Sequence, residues 1–473
     1  MITSCIYLFV LLSCFGSTGR KEEFSHLQLL ALDYFYRGEF SRLQSFSDSL
    51  HANFGVEYDF YVVDSLLDLS HRIQFDFNLS SDEVKSRLKQ RGVLVNDSLL
   101  AEWRSTGLLE YYQYDSECHF FKSSVSNFFL RQQRGLHPGK RGLISADFEQ
   151  SLVNSANSIM ADAKESSLQS PITFELTFSL IVNANAVPAG EIIRCWLPYP
   201  RLDVTRQRAV ELLDASPCLK GALVDTMAHQ CVYLEAASVR DLATRFEVKY
   251  RYQSFAEYHN PELLNILPYD RHSELYRRYT CEESPHIIFD EAVRRVAQQI
   301  PGDSDNAPET VANIFGWICR NVIWVSALEY GIQDSIASVV AQSLEGDCGM
   351  QTMLFMALAR YKGIPVRWQS GWMLHRGEEN LHDWCEVYYQ GIGWVPVDVT
   401  FGLLPDVASA SFYVTGIDAY RLVVNHDTGG LFFPPKKFRR SEPYDFQRGE
   451  VEWRGGNLYF DQWHYHMDVK VIP

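Results

Sequence analysis

The chain has 473 residues, of which 46% are hydrophobic and 14% aromatic, so it can bury large cores and is expected to hold about three domains. Its 22% charged residues exclude wholesale disorder. Lysine and arginine number 43 against 59 aspartates and glutamates, and the net charge of −16 without any basic cluster excludes a typical nucleic-acid-binding protein.

The N-terminus predicts export. Residues 1–16, MITSCIYLFVLLSCFG, contain an apolar run of about eleven residues, which is too short to span a bilayer but suits the core of a signal peptide. Leu11-Leu12-Ser13-Cys14 resembles a bacterial lipoprotein cleavage box, in which the cysteine is lipidated. An ordinary signal peptide is the alternative. Either version predicts an extracytoplasmic protein, in the periplasm or at the cell surface, and the first adds a membrane anchor at Cys14.

A mainly helical module is predicted over residues 17–131. Helices are expected at 24–36, 41–54, 84–90, 99–106 and 124–131, and a hairpin at 108–122. Ser80 and Glu83 form a capping-box pattern ahead of the third helix. No basic face accompanies the hairpin, so we expect this module to pack or to bind a partner rather than to bind nucleic acid.

A β-sandwich-like domain is predicted next, over residues 166–260. Residues 132–165 precede it as a linker, rich in glycine at 132–142, followed by a helix from 146 to 163. Alternating apolar and polar residues predict strands at 173–182, 191–197, 231–235 and 244–252. The simplest role for this domain is to brace the domain that follows it.

Residues 261–413 are the predicted catalytic domain, because they contain the residue pattern that most clearly indicates an enzymatic reaction. Gly346-Asp347-Cys348-Gly349 is a predicted turn, and about a dozen apolar and small residues follow it before Gly363 and Pro365. Cys348 therefore falls in the first turn of a predicted helix. Unpaired backbone N–H groups and the positive end of the helix dipole favour a thiolate at that position, and the same N–H groups can hold an oxyanion.

Three strands are predicted after this helix, and two of them carry a candidate base and a candidate acid. Residues 366–374, 381–389 and 394–399 read as strands, the last two joined as a hairpin by a glycine-rich turn. That hairpin places Asp398 near His382. A thiol needs a base to take its proton, and the base needs a third group to orient it, so Cys348, His382 and Asp398 form a candidate catalytic triad.

Each of these residues also has an ordinary structural interpretation. A lone cysteine is usually a small buried apolar residue, a lone histidine is often a satisfied core residue, and an aspartate before Val-Thr is often a turn former. The three together in this order resemble the motif blocks of the transglutaminase-like superfamily, on Gly346-Asp347-Cys348, residues 382–388 and residues 393–400. The resemblance implies an α+β fold with a papain-like core.

The resemblance implies acyl-transfer chemistry on a peptide or side-chain amide through a Cys348 thioester. We expect a peptidase or amidase acting on a peptide or protein, with cell-wall peptide among the substrates considered. A protein-glutamine transglutaminase and a catalytically inactive peptide- or cell-wall-binding scaffold are the alternatives. A zinc-bearing peptide N-glycanase is disfavoured because the chain has no C-x-x-C pair.

The remaining cysteines form no regular disulfide or zinc pattern, so neither a metal nor another cofactor is expected. Cys385 should face away from His382 and lie in the core. Residues 414–473 are expected to be a β extension packed on the catalytic domain, with strands at 411–423 and 431–438. Packing is the simplest role of its aromatic residues, and lining a peptide or sugar groove is the alternative.

Overall fold

The computed structural model describes residues 18–54, 60–133, 144–163, 167–217 and 228–473. The predicted signal peptide, Cys14 and nearly all of the glycine-rich linker lie outside these ranges. Within them, no helix is long and apolar enough to cross a membrane. The fold is α+β, as predicted, and the chain divides into two compact units.

The first unit combines the described residues up to 133 with residues 325–334. Its elements are α1 (Thr18–Tyr36), α2 (Phe40–Phe54), α3 (Tyr61–Asp76), β1 (Phe77–Leu79), α4 (Ser81–Gln90), α5 (Asp97–Ser105), β2 (Tyr111–Tyr114), β3 (Glu117–Phe121) and α6 (Ser124–Gln133). The capping box at Ser80 and Glu83 is confirmed. Helix α3 was not predicted, because it begins after Phe60 without a side-chain cap.

The second unit opens with α7 (Ala146–Asp162) and a strand-rich region. Its strands are β4 (Leu168–Val182), β5 (Ile192–Pro198), β6 (Gln207–Ser216), β7 (Cys231–Ala237) and β8 (Thr244–Tyr258). Alternate residues of β4 and β8 are buried, as the period of two predicts. Strand β6 was not predicted because two register shifts against β8 and its exposed side chains break that alternation.

The helices and strands around the candidate triad follow. They are α8 (Glu274–Thr280), α9 (Glu291–Gln299), α10 (Ala307–Asn321), α11 (Ile336–Ser343), α12 (Cys348–Tyr361), β9 (Val366–Met373), β10 (Asn380–Tyr389) and β11 (Gly393–Val397). Every residue of α12 from 349 to 360 is buried, so this helix runs through the interior. It packs against β9 and β10.

The chain ends with elements that join sheets begun much earlier. They are α13 (Phe412–Thr415), β12 (Gly416–Ile417), β13 (Arg421–Asn425), β14 (Glu450–Trp453), β15 (Gly456–Asn457) and β16 (Trp463–Ile472). Strand β13 pairs with β9, β14 with β5, and β16 with β4 along its whole length. The extension therefore adds strands to the sheets of β4 and β5 as well as to the sheet of β9.

The described residues of the second unit form three antiparallel sheets. The first has the order β11-β10-β9-β13, a second has the order β12-β8-β4-β16 with β6 also on β8, and a third has the order β15-β14-β5-β7. Phe178, Trp196 and Tyr250 come from the second and third sheets and share one buried core, which fits the predicted β-sandwich.

Two strand predictions at the C-terminus were wrong. Residues 431–438 are irregular, and the reason is that Pro434 and Pro435 have no N–H to donate to a sheet. Residues 411–423 divide into α13, β12 and the start of β13 instead of forming one strand.

Candidate active site

Cys348 is the first residue of α12, as its sequence context predicts. Asp347 is the N-cap, and its side chain accepts a hydrogen bond of 3.0 Å from the backbone N–H of Met350. Gly346 allows the chain to approach the helix closely, because a Cβ there would lie 2.8 Å from the Cβ of Met350. Cys348 is partly buried rather than sealed in the core. The local sequence thus places a thiol at a helix N-terminus.

The electrostatic environment of this thiol differs from the one expected. Burial raises the pKa of the Cys348 thiol well above its ordinary value, and the negative charges of Asp383 and Asp347 raise it further. The helix N-terminus acts in the opposite direction. The expected lowering of the thiol pKa by the helix N-terminus is therefore opposed, and the predicted need for a proton acceptor becomes greater.

His382 lies in β10, opposite Gly371 of β9. Its ring is within 5.6 Å of the Trp384 ring, so the two side chains share a face as the alternation predicts. The Nε2 atom of His382 is 2.8 Å from Oδ2 of Asp398, which immediately follows β11. Because a carboxylate only accepts, Nε2 carries the proton, and Nδ1 is the ring nitrogen that can take one up.

Asp398 is completely buried and its oxygens are well supplied with donors. Oδ1 accepts from Thr400 Oγ1 and from the Phe401 N–H, both at 3.2 Å. Oδ2 accepts from His382 and, at 3.1 Å, from Nη2 of Arg421. Burial by itself would raise the pKa of Asp398, but the charges and hydrogen bonds of His382 and Arg421 hold it well below the usual range. Asp398 is therefore ionised at neutral pH.

Arg421 connects this carboxylate to a second buried pair. Its Nη1 atom lies 3.0 Å from Oδ1 of Asp418, and that oxygen is 3.3 Å from Nε2 of His375. Arg421 is fully buried and its guanidinium carbon lies 4.1 Å from the centre of the Phe401 ring. The candidate site therefore has a wider charged network than the triad.

The structure brings His382 and Asp398 into direct contact. The Sγ atom of Cys348 lies 3.5 Å from Oδ2 of Asp383, the residue directly after His382. Sequence reasoning missed Asp383, Arg421 and the pair of Asp418 and His375 beside it. Asp383 is next to His382 in the strand, so the alternation assigns its side chain to the opposite face. Arg421 lies 23 residues beyond Asp398, so no local spacing in the sequence indicates a role for either residue.

The other described cysteines form no disulfide bonds. Cys385 is fully buried, as predicted. Among the described residues, no group of three or more His, Cys, Asp or Glu side chains is arranged to hold a metal ion.

The match to a known family falls on this region. Residues 294–399 match the sequence model of the transglutaminase-like superfamily, and the matched span includes Cys348, His382 and Asp398. The chain contains a transglutaminase-like domain. No curated protein matches the chain significantly.

Solved structures with low sequence identity also resemble the chain. A protein described as a candidate cysteine protease from Cytophaga hutchinsonii is 14% identical, with 65% of this chain and 92% of that one covered and a TM-score of 0.41. The periplasmic domain of TgpA from Pseudomonas aeruginosa is 13% identical, with 49% and 88% covered and a TM-score of 0.27. The assignment of the transglutaminase-like domain rests on the sequence model and the motif residues.

Replacement of Arg421 by methionine should destabilise the protein strongly. The change leaves Asp398 and Asp418 buried without their shared cation, which typically costs about 3–5 kcal/mol. Unfolding in urea measures the loss. Arg454→Met is the matched control, because Arg454 is 79% exposed and its pair with Glu191 should contribute little. Equal losses for the two variants would contradict the role given to Arg421.

Asp398 should support stability down to acidic pH. Its pKa is lower in the folded than in the unfolded chain, so its contribution is complete above the unfolded value of about 4 and is lost as pH falls through the folded value. The difference in unfolding free energy between the parent and Asp398→Asn should not shrink from about pH 7 to 5, where the charge on His382 also depends on Asp398, and it should shrink below about pH 4. A difference that already shrinks between pH 7 and 5 would contradict this assignment.

Proposed function

We propose that the protein is a thiol-dependent acyl-transfer enzyme in which Cys348 attacks the carbonyl of a peptide or side-chain amide. In the first step the sulfur forms a bond to the carbonyl carbon, and the thiol proton passes to Nδ1 of His382. The resulting imidazolium returns that proton to the leaving nitrogen, the C–N bond breaks, and a thioester remains on Cys348. Asp398 orients His382 and stabilises its charged form.

The contact between His382 and Asp398 carries this proposal. At 2.8 Å, with Asp398 held ionised by Arg421, it supplies the oriented base that a thiol with a raised pKa requires. The backbone N–H groups at the start of α12 are suited to stabilising the oxyanion of the tetrahedral intermediate. The match of residues 294–399 to the transglutaminase-like superfamily supports the same chemistry.

We favour hydrolysis as the second half of the reaction. Water then attacks the thioester and releases an acid, which makes the enzyme a peptidase or amidase. With an amine as acceptor, the same thioester gives a transglutaminase. Water is the more abundant acceptor, and no residue in the sequence marks an amine site. We infer a peptide or protein substrate, with cell-wall peptide among the candidates.

Substitution of Cys348 by alanine should lower turnover by several powers of ten, because the thioester can no longer form. The purified protein is incubated with a peptide library with and without an amine donor, and the products are read by mass spectrometry. Paired fragments report backbone cleavage, a rise of about one mass unit reports side-chain amide hydrolysis, and addition of the donor reports transamidation. His382→Ala and Asp398→Asn should lose activity together with Cys348→Ala.

The raised pKa of the Cys348 thiol favours one rival, an inactive scaffold that binds peptide or cell-wall material at the same place. The same experiment separates the two. A scaffold predicts that Cys348→Ala binds peptides as tightly as the parent while neither protein alters them. A Cys348→Ala variant that processes substrate at the parental rate would remove the thioester mechanism altogether.

We further propose that the protein is exported, on the basis of its apolar N-terminus and the Cys14 box. Expression in a bacterial host followed by intact-mass analysis of each cell fraction tests this. We expect a processed chain, which carries acyl groups on Cys14 and lies in the membrane fraction if the lipoprotein version holds. Cys14→Ser should then release the chain from the membrane, whereas an unprocessed chain in the cytosol would contradict export.

A further inference from the structure

Asp383 is a buried acid in contact with the candidate nucleophile. Its side chain is 3% exposed, and Oδ2 lies 3.5 Å from Sγ of Cys348, which is the distance of a thiol hydrogen bond to oxygen. Within the described part of the chain, no lysine, arginine or histidine forms an ion pair with Asp383. An acid without a cation, placed against a thiol, requires an explanation, because burying a charge is costly unless a partner compensates it.

Gln447 fixes the orientation of this acid. Its Nε2 atom donates to Oδ1 of Asp383 at 2.8 Å and also approaches the carbonyl oxygens of Gly371 and His382, each at 3.0 Å. The backbone carbonyl of Gln447 accepts from the indole N–H of Trp372, so its main chain is held as well. The amide group therefore cannot turn without losing several contacts, and with Oδ1 occupied, Oδ2 is directed at the sulfur.

The charges around Asp383 are mostly negative. Asp347 approaches from the start of α12, and Asp445 and Glu442 from the loop before β14. Arg448 binds Glu442 at 2.5 Å and so compensates that carboxylate directly. Burial raises the pKa of Asp383 well above its usual range, the neighbouring carboxylates raise it further, and the hydrogen bond from Cys348 lowers it.

We propose that Asp383 and Cys348 share one proton, and that Asp383 thereby restrains the nucleophile. This inference rests on the proposed function of Cys348 and adds a residue that controls it. In one form the thiol donates its proton to the Asp383 carboxylate. In the other form the S–H bond has broken, an O–H bond has formed on Oδ2, and the sulfur is a thiolate beside a neutral acid. The total charge is the same in both forms, and the first dominates.

The restraint follows from simple electrostatics. A carboxylate 3.5 Å from a sulfur disfavours a second negative charge on that sulfur, and it also holds the thiol proton as an acceptor. Removing the charge while keeping the shape should free the sulfur to ionise. Asp383→Asn does this, because its amide oxygen still accepts from Gln447 and its amide nitrogen can donate to a thiolate.

The test is the pH dependence of alkylation of Cys348 by iodoacetamide, followed by mass spectrometry of the peptide that contains this residue. In Asp383→Asn the midpoint should fall by about one unit or more, which makes alkylation about tenfold faster at a pH below both midpoints. Glu442→Gln is the matched control. It removes a buried carboxylate from the same neighbourhood whose oxygens bind Arg448 and backbone N–H groups, so the midpoint should hardly move.

An alkylation midpoint in Asp383→Asn that equals or exceeds that of the parent would overturn the inference, as would an equal fall in Glu442→Gln. Infrared spectroscopy supplies a readout that does not need the Asp383 variant to fold. The band of the protonated carboxyl should persist to higher pH in Cys348→Ala than in the parent, because the thiol donor to Asp383 is gone. Loss of the band at the same pH in both proteins would also overturn it.

These measurements test the restraint by Asp383 independently of the proposed function of Cys348. Alkylation and infrared spectra need no substrate, so they report proton sharing even if the chain is a scaffold. If Cys348→Ala is inactive and Asp383→Asn leaves the alkylation profile unchanged, only the restraint by Asp383 fails. If Asp383→Asn shifts the profile and Cys348→Ala retains full activity, only the thioester mechanism fails.

Discussion

One buried carboxylate, Asp398, imposes the main constraint on the candidate site. A fully buried negative charge must be compensated, and here His382 and Arg421 compensate it through the same oxygen. Asp398 follows β11, His382 lies within β10 and Arg421 begins β13, so the charge connects three strands of one sheet. The tautomer of His382 depends on this charge, and so does its capacity to accept a proton. The same contacts therefore serve the stability of the sheet and the geometry proposed for catalysis.

The environment of Cys348 balances opposing effects. A helix N-terminus favours negative charge on the sulfur, whereas burial and two nearby carboxylates oppose it. Removal of water strengthens each of these interactions, because charges act over a longer range in a medium of low polarity. The balance disfavours a free thiolate in the resting protein, and it makes the proton acceptor on His382 decisive for any reaction at this sulfur.

The sequence was most informative where the structure depends on neighbouring residues. The helix at Cys348 was predictable because Asp347 precedes it and Gly363 follows it. The hairpin of β10 and β11 was predictable because a glycine-rich turn separates two strands with alternating apolar and polar residues. Arg421 and Gln447 were not predictable, since their partners lie in strands that meet them only through sheet topology. The strand predicted at 431–438 does not form, because its two prolines have no N–H to donate to a sheet, whatever the hydrophobicity of its other residues.

The residues that complete the site extend beyond the segment that matches the family. Arg421 and Gln447 both follow residue 399, where the match to the transglutaminase-like superfamily ends. Arg421 supplies the cation that keeps Asp398 ionised, and Gln447 directs Asp383 at the sulfur. Strand β16, further along, pairs with β4 and forms one edge of that sheet. The matched segment carries the three candidate catalytic residues, but their charges and orientations depend on the C-terminal residues, so the site is a property of the whole second unit.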